Sequence, residues 1–298
     1  MKLAPALAAV AALAGGGWQT DPPLPVARTE VAAAVSGGEI VVAGGYLADG
    51  STTARVDLYD PAARTWRRGP DLPEAVNHAA AASLRGAAVV VGGYGANGPT
   101  RTAARLDGGA WRPLPRLPWS RAAAAATALD GRLYVLGGVT DGGLTRSALA
   151  YDPARGRWLP IPGPTPRQHL AATAARGRIY AIGGRSTGYD TNTALVESWA
   201  PGERRWRREP SLPEARGGTG AAALGGTIVS AGSEAPQGTS GAVFAFDVGA
   251  RRWRRLEDLP TPRHGLGVVA AGGEVHVIGG GPEPGLTVTD ANEALALA

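Results

Sequence analysis

The sequence predicts an all-β fold of six repeated four-stranded units, and two periodic markers carry this prediction. The first marker is a glycine pair that ends an apolar stretch, as in RLYVLGG at 132–138. Five copies of the pair occur, and in a sixth copy serine replaces the second glycine. The first glycines lie 45 to 49 residues apart, at Gly44, Gly92, Gly137, Gly183, Gly232 and Gly279. A nucleotide-binding loop is needed once per site, so six copies in phase indicate a repeat architecture.

The second marker is a tryptophan that keeps the same period, at Trp18, Trp66, Trp111, Trp158, Trp206 and Trp253. Nine or ten residues after each tryptophan comes one equivalent position, and 16 residues after that position comes the first glycine. This position, which we call the row position, is held by Arg28, Val76, Arg121, Arg167, Arg216 and Arg263. Constant spacing of this kind requires a fixed hairpin, and turns such as LDGR lie between the two markers.

Each repeat resolves into four strands, a to d, which the third repeat illustrates. Strand a is small and apolar (RAAAAATAL, 121–129), and strand b is branched and apolar (RLYVLGG, 132–138). Strand c ends in an aromatic residue and an acid (ALAYDP, 148–153), and strand d begins at the tryptophan (RWLPIP, 157–162). Small residues suit the innermost strand of a radial sheet, and a strand covered on both faces is apolar throughout. The charged RRWRR segments at 204–208 and 251–255 suit an outer edge.

These residues resemble the kelch repeat family. The resemblance rests on the glycine pair after strand b, the YDP of strand c and the tryptophan six residues after the acid, as in YDPAARTW (59–66) and YDPARGRW (151–158). Ser233, the shortened LDGGAW turn at 106–111 and Ala200 in place of the acid depart from the pattern. The resemblance covers essentially all of residues 15–298 and implies a six-bladed β-propeller.

Blade closure is also expected from the order of the strands. Trp18 begins a d-type strand with no strand a, b or c before it, whereas the last repeat ends after its strand c, within 287–297. The N-terminal strand is therefore expected to complete the sixth blade, which removes the exposed sheet edges.

The first 14 residues are interpreted as a secretory signal peptide. One lysine, Lys2, precedes an apolar run from Leu3 to Ala14, and Ala12-Leu13-Ala14 fits a small-x-small cleavage pattern. The run is shorter than the ~20 residues that span a bilayer, so no membrane span is expected. We expect an exported protein, in the periplasm or outside the cell, that consists of a propeller at 15–298. Because the chain has no cysteine, this domain holds itself by packing alone.

Composition and motifs exclude several chemistries. Some kelch proteins are copper oxidases whose cofactor is a tyrosine cross-linked to a cysteine, and the absence of cysteine removes that cofactor. The chain has no G-x-S-x-G turn and no G-x-x-x-x-G-K motif, and no cofactor is expected. The net charge is only +5 and the basic rim is interspersed with acids, so no nucleic-acid binding is expected.

Function is expected on the face that carries the row position and the long loops between strands b and c, because long loops on a rigid scaffold commonly bind ligands. The row arginines Arg28, Arg121, Arg167, Arg216 and Arg263 have two interpretations. They form an anion-attracting funnel, in which at least two are free to bind ligand, or they are struts that bind backbone carbonyls. In kelch domains with acidic ligands, arginines at the matching position contact the ligand. Further candidates are Glu30, Tyr46, Tyr94 and Arg185, followed by Tyr189, Asp190 and Glu234.

The histidines are not expected to bind a metal. His78 and His169 are in register, two residues after the row position, and His264 lies one residue earlier in its repeat. They fall on different blades, with no carboxylate recognised at matched spacing. His276 aligns with Tyr134 and Tyr180 in strand b and is expected in the core.

Two functions remain open. The first is a monomeric binding module for a protein, peptide or glycan ligand, with an anionic ligand favoured by the arginines. The second is an envelope carbohydrate enzyme, because some exported kelch propellers of this size are sialic-acid mutarotases. Glu30 beside Arg28, or Glu234 near Arg216, would supply the acid–base group. A carboxylate that is buried at the mouth of the propeller's central channel and has a raised pKa favours the enzyme. Exposed carboxylates around a shallow mouth favour the binding module.

Overall fold

The computed structural model describes residues 17–297, which form six antiparallel four-stranded sheets arranged as the blades of a propeller. The expected signal peptide at 1–14 lies outside the described residues. Within 17–297 the helical structure is a single 3₁₀ turn at Tyr189–Thr191, and no helix is long and apolar enough to cross a membrane.

The blades follow one another along the chain. Blade 1 comprises Ala32–Ser36, Glu39–Ala43, Val56–Asp60 and Thr65–Arg68, and blade 2 comprises Ala80–Leu84, Ala87–Val91, Ala103–Asp107 and Ala110–Pro113. Blade 3 comprises Ala125–Leu129, Arg132–Leu136, Ala148–Asp152 and Arg157–Ile161, and blade 4 comprises Ala171–Ala175, Arg178–Ile182, Val196–Trp199 and Arg207–Arg208. Blade 5 comprises Gly220–Leu224, Thr227–Ala231, Phe244–Asp247 and Arg252–Arg255, and blade 6 comprises Gly267–Ala271, Glu274–Ile278, Asn292–Ala296 and Trp18–Thr20.

The glycine pair joins each blade to the next. The second residue of the pair donates its backbone N–H to the carbonyl of the following row position, as Gly138 does to Arg167 at 2.9 Å. Gly137 lies at φ +59°, and a Cβ there would stand 2.5 Å from the same carbonyl oxygen. The pair therefore permits a close approach between neighbouring blades, and its recurrence reflects this structural role. Ser233 keeps the hydrogen bond, to Arg263 at 3.1 Å, so the serine copy fits the same geometry.

Six apolar clusters fill the six interfaces between neighbouring blades, so the core is distributed around the ring. The repeat tryptophans border these interfaces. Each donates its indole N–H, over 2.7–3.0 Å, to a backbone carbonyl at the outer end of the preceding blade. The tryptophans are therefore links between blades.

The N-terminal strand closes the ring, as the order of strands predicts. Trp18 pairs with Leu295 and Thr20 with Glu293 in antiparallel register, which places Trp18–Thr20 as strand d of blade 6. The Trp18 indole donates to the carbonyl of Glu257 in blade 5, as the other repeat tryptophans do to their preceding blades. First and last repeats therefore share one sheet.

Candidate functional site

The row arginines are internal struts. All five are buried, with 0 to 2 % of their surface exposed. Arg28, Arg121, Arg167 and Arg263 each donate to the carbonyl of the first glycine 16 residues on, over 2.6–3.2 Å, which explains the fixed spacing. Arg216 instead donates to the carbonyl of Ala242 at 2.6 Å.

Three of the struts also pair with a buried carboxylate in strand c of their own blade. These pairs are Arg28 with Asp57 at 2.7 Å, Arg167 with Glu197 at 2.5 Å and Arg263 with Glu293 at 2.5 Å. The geometry therefore corrects the expectation of an anion-attracting funnel, because the five guanidiniums face carbonyls and carboxylates inside the blades.

A different ring of residues lines the mouth of the channel. Two residues after each row position, the backbone takes the left-handed conformation, with φ between +49° and +69°. Successive members are joined by N–H to carbonyl hydrogen bonds, such as His78 to Glu30 at 3.1 Å and Ala123 to His78 at 3.0 Å. We call this set the mouth ring: Glu30, His78, Ala123, His169, Gly218 and Gly265.

Above the mouth ring, the long loops enclose a cavity of about 180 Å³. Five of the predicted site residues line it: Glu30, Tyr46, Arg185, Tyr189 and Glu234. Tyr94 packs edge-on against His78 at a ring distance of 5.5 Å. Tyr189 and Leu286 form an exposed rim, whereas Asp190 lies on the exposed 3₁₀ turn. The full lining is Thr29, Glu30, Tyr46, His78, His169, Arg185, Tyr189, Glu234, His264, Gly285 and Leu286.

Glu30 is the carboxyl group at the centre of this site. Its side chain is only 13 % exposed, and burial raises its pKa to about 7. The charge of Glu234 adds to the upward shift, and His264 and Arg185 oppose it. Since a Cβ at Gly265 would lie 2.7 Å from Glu30 Oε1, the glycine at that ring position leaves space for the carboxyl. Glu30 therefore exchanges its proton near neutral pH.

His78 presents a free nitrogen to Glu30. Its Nδ1 lies 2.6 Å from the Asn77 side-chain oxygen, and the Asn77 amide nitrogen donates to Thr52 Oγ1, which fixes the orientation of the amide. His78 Nδ1 is therefore the protonated nitrogen, and the lone pair of Nε2 faces Glu30 Oε2 at 3.3 Å. Burial lowers the pKa of His78 to about 3, so the imidazole is neutral at pH 7.

His264 is held in the same way. Its Nδ1 lies 3.1 Å from the carbonyl oxygen of Gly281, so Nδ1 carries the proton. Its Nε2 faces Glu234 Oε2 at 3.4 Å and Glu30 Oε1 at 3.8 Å. Arg185 donates to the other Glu234 oxygen at 2.8 Å and stacks on Tyr189, 4.9 Å from the ring centre. The mouth thus combines one carboxyl whose pKa is raised to about 7, two imidazoles whose Nε2 atoms face carboxylate oxygens, and one buried ion pair.

The histidine cluster is the part of the site that the sequence analysis undervalued. Glu30 lies two residues after Arg28, at the ring position of His78 and His169, so a carboxylate does stand at matched spacing. The ligand atoms of Glu30, His78 and His169 lie within 4.8 Å of one another, as do those of Glu30, Glu234 and His264. Alignment of all six repeats on the row position would have revealed this. His276 is in the core, as expected, and is fully buried.

Comparisons with known proteins agree with the fold. The kelch motif matches residues 27–73, 120–165 and 166–213. A solved structure described as the structure of YjhT is similar at a TM-score of 0.79 and 15 % identity, covering 93 % of this chain and 97 % of that one. No curated protein matches the chain by sequence. The three motif matches show kelch repeats in three of the six blades, and together with the six-bladed fold they support assignment of this chain to the kelch repeat propellers.

Proposed function

We propose that the mouth binds a small acidic carbohydrate and catalyses proton transfer at its anomeric centre, in a mutarotase-type reaction. The observation that carries the proposal is Glu30, a buried mouth carboxyl whose pKa is raised to about 7. A general acid–base group works best when its pKa lies near the working pH. The kelch propeller fold also suits a binding module. The proposed catalysis would act on a ligand that is bound at the mouth.

The cavity favours a small ligand. Its volume of about 180 Å³ is below the roughly 300–1,000 Å³ of pockets for drug-sized molecules, so it suits one sugar ring better than a peptide. Tyr189 is 37 % exposed at the rim and offers a face on which a sugar ring can stack. Arg185 uses Nη1 for Glu234 and lines the cavity, and its Nη2 makes no side-chain hydrogen bond within residues 17–297, so Nη2 can donate to a ligand carboxylate.

The chemistry needs one group that gives a proton to the ring oxygen and a second group that takes the proton of the anomeric hydroxyl. Protonated Glu30 gives its proton to the ring oxygen, while the imidazole Nε2 of His264 takes the proton of the anomeric hydroxyl. His78 is the weaker base, because burial lowers its pKa to about 3. The bond between the anomeric carbon and the ring oxygen breaks, and an open-chain carbonyl forms. The carbonyl group then rotates, and the ring closes on its other face. Ring closure returns both protons to the groups that exchanged them, so the reaction consumes no proton.

The test is anomer exchange of sialic acid, followed by ¹H NMR at pH 7 with and without the protein. Wild-type protein is expected to accelerate exchange, and Glu30→Gln is expected to lower the acceleration at least about 100-fold, the lower limit for a general acid–base group. Asp107→Asn, which changes an exposed carboxylate at the end of the blade 2 strand Ala103–Asp107, is the matched control and should keep full activity.

Line broadening of the sugar in the same spectra reports binding. Binding without accelerated exchange would replace the catalytic proposal by a pure binding module, which the cavity and Arg185 also support. The absence of both effects would contradict a site for acidic sugars. We further propose export through the segment 1–14, which N-terminal sequencing of the mature protein would test against cleavage after Ala14.

A further inference from the structure

We propose that Glu30, His78 and His169 form a binding site for a divalent first-row transition-metal ion, with Zn²⁺ as the best match. The proposal does not rest on the acid–base function and describes a second state of the same mouth, because a metal-bound Glu30 holds no proton to give. It follows from how these three side chains are held at the mouth ring.

The first step is the orientation of His78. A metal-binding histidine usually donates its other nitrogen to an oxygen acceptor, which fixes the tautomer and aims the lone pair at the ion. Asn77 provides that acceptor at 2.6 Å, and it is itself 3 % exposed and fixed by Thr52. The arrangement leaves the Nε2 lone pair facing a carboxylate oxygen. Two acceptors face one another there, so either a proton or a cation must stand between them.

The second step is distance. Two ligands about 2.0–2.2 Å from a tetrahedral ion stand roughly 3.3–3.6 Å apart. His78 Nε2 and Glu30 Oε2 are 3.3 Å apart, which matches one edge of such a tetrahedron. One ligand atom each of Glu30, His78 and His169 lies within 4.8 Å of the other two, so a small side-chain rotation completes three ligands.

The third step is the state of His169. Its Nδ1 is inaccessible to solvent and has no hydrogen-bond partner in the described structure, which is costly for a buried polar atom. Its ring packs edge-on against His78, with centroids 4.9 Å apart. If the His169 ring rotated toward an ion shared with His78, one of its nitrogen lone pairs would bind that ion.

The donor set selects the class of ion. Two imidazoles and one carboxylate suit Zn²⁺ and its neighbours, whereas Mg²⁺ and Ca²⁺ prefer oxygen ligands throughout. Three protein ligands leave a fourth position toward the cavity, where a ligand hydroxyl or water can bind. The ion would occupy the place of the proton between Glu30 and His78. Glu234 stays paired with Arg185, so its charge is neutralised there and Glu234 is not one of the three proposed ligands.

The test is calorimetric titration with Zn²⁺ at pH 7.5, after dialysis against a chelator. Saturable 1:1 binding is expected. Other blades show which small residues the mouth ring accepts. His78→Ala introduces the residue that blade 3 has at this position, and His169→Gly introduces the residue that blades 5 and 6 have there. Each should weaken binding at least about tenfold, since even an outer partner of a metal ligand is worth 10- to 100-fold. Thermal melts check that the variants are folded.

Asp107→Asn serves as the control and should bind as the wild type does. Absence of saturable binding would overturn the site, and so would binding that His78→Ala and His169→Gly leave unchanged. Loss of binding in His264→Gln with full binding in His169→Gly would overturn this triad in favour of the other cluster. Because the readout is metal binding, its failure leaves the sugar chemistry untouched.

Discussion

Replacing Arg167 by methionine should destabilise the propeller without changing ligand binding at the mouth. Arg167 donates to the carbonyls of Thr165, Ala181 and Gly183 and to the carboxylate of Glu197, and it is 2 % exposed. Removing one partner of a buried ion pair costs about 3–5 kcal/mol, because the other charge is left unpaired. We expect about 3 kcal/mol, since Thr165 still donates its N–H and hydroxyl to Glu197.

The matched control is the double variant Arg167→Met/Glu197→Leu, which removes both charges. It should recover a large part of the lost stability, because replacing a whole buried pair by apolar residues is often nearly neutral. Urea unfolding curves measure both changes. Equal stabilities of the single and double variants, or a single-variant loss below about 1 kcal/mol, would refute the strut interpretation.

Three further predictions follow from the same structure. Deleting residues 1–20 removes strand d of blade 6 and should lower the melting temperature strongly, whereas an unchanged temperature would contradict closure by Trp18–Thr20. Gly137→Ala should destabilise the fold, because its Cβ would stand 2.5 Å from the Arg167 carbonyl, and chemical denaturation measures the loss. Ionising Glu30 costs stability as pH rises from 4.5 to about 7. At about 1.4 kcal/mol per pH unit the loss is at most roughly 3–4 kcal/mol, so Glu30→Gln should flatten the pH dependence of unfolding across that window.

Nearly all of the fold could be predicted from the sequence, because each repeat carries the same contacts. The glycine pair and the tryptophan mark backbone approaches that recur at every blade interface, such as Gly138 to Arg167 and Trp158 to Pro115. Periodicity makes these contacts visible without an alignment. The order of strands even predicts that Trp18 pairs near the C-terminus, because a closed ring leaves no other place for an unpaired strand.

The site could be predicted only in part, because the same periodicity misleads there. The row arginines recur at a fixed spacing because each supports its own blade as a strut. From the sequence alone, the same spacing also fits a ring of charges that binds an anion. The structure brings the candidates Glu30, Tyr46 and Arg185 together at one cavity, whose chemistry depends on side-chain directions. The orientation of His78 by Asn77, and the raised pKa of Glu30, arise from contacts between blades that no local pattern encodes.

The role of Glu30 is tested most directly by titrating its side-chain carboxyl carbon with ¹³C NMR. Its resonance is assigned as the one missing from the Glu30→Gln spectrum. A midpoint near pH 7 is expected, since burial holds the proton on this group well above the ordinary value of 4.5. A midpoint near 4.5 would contradict both the buried environment at the mouth and the acid–base function built on it.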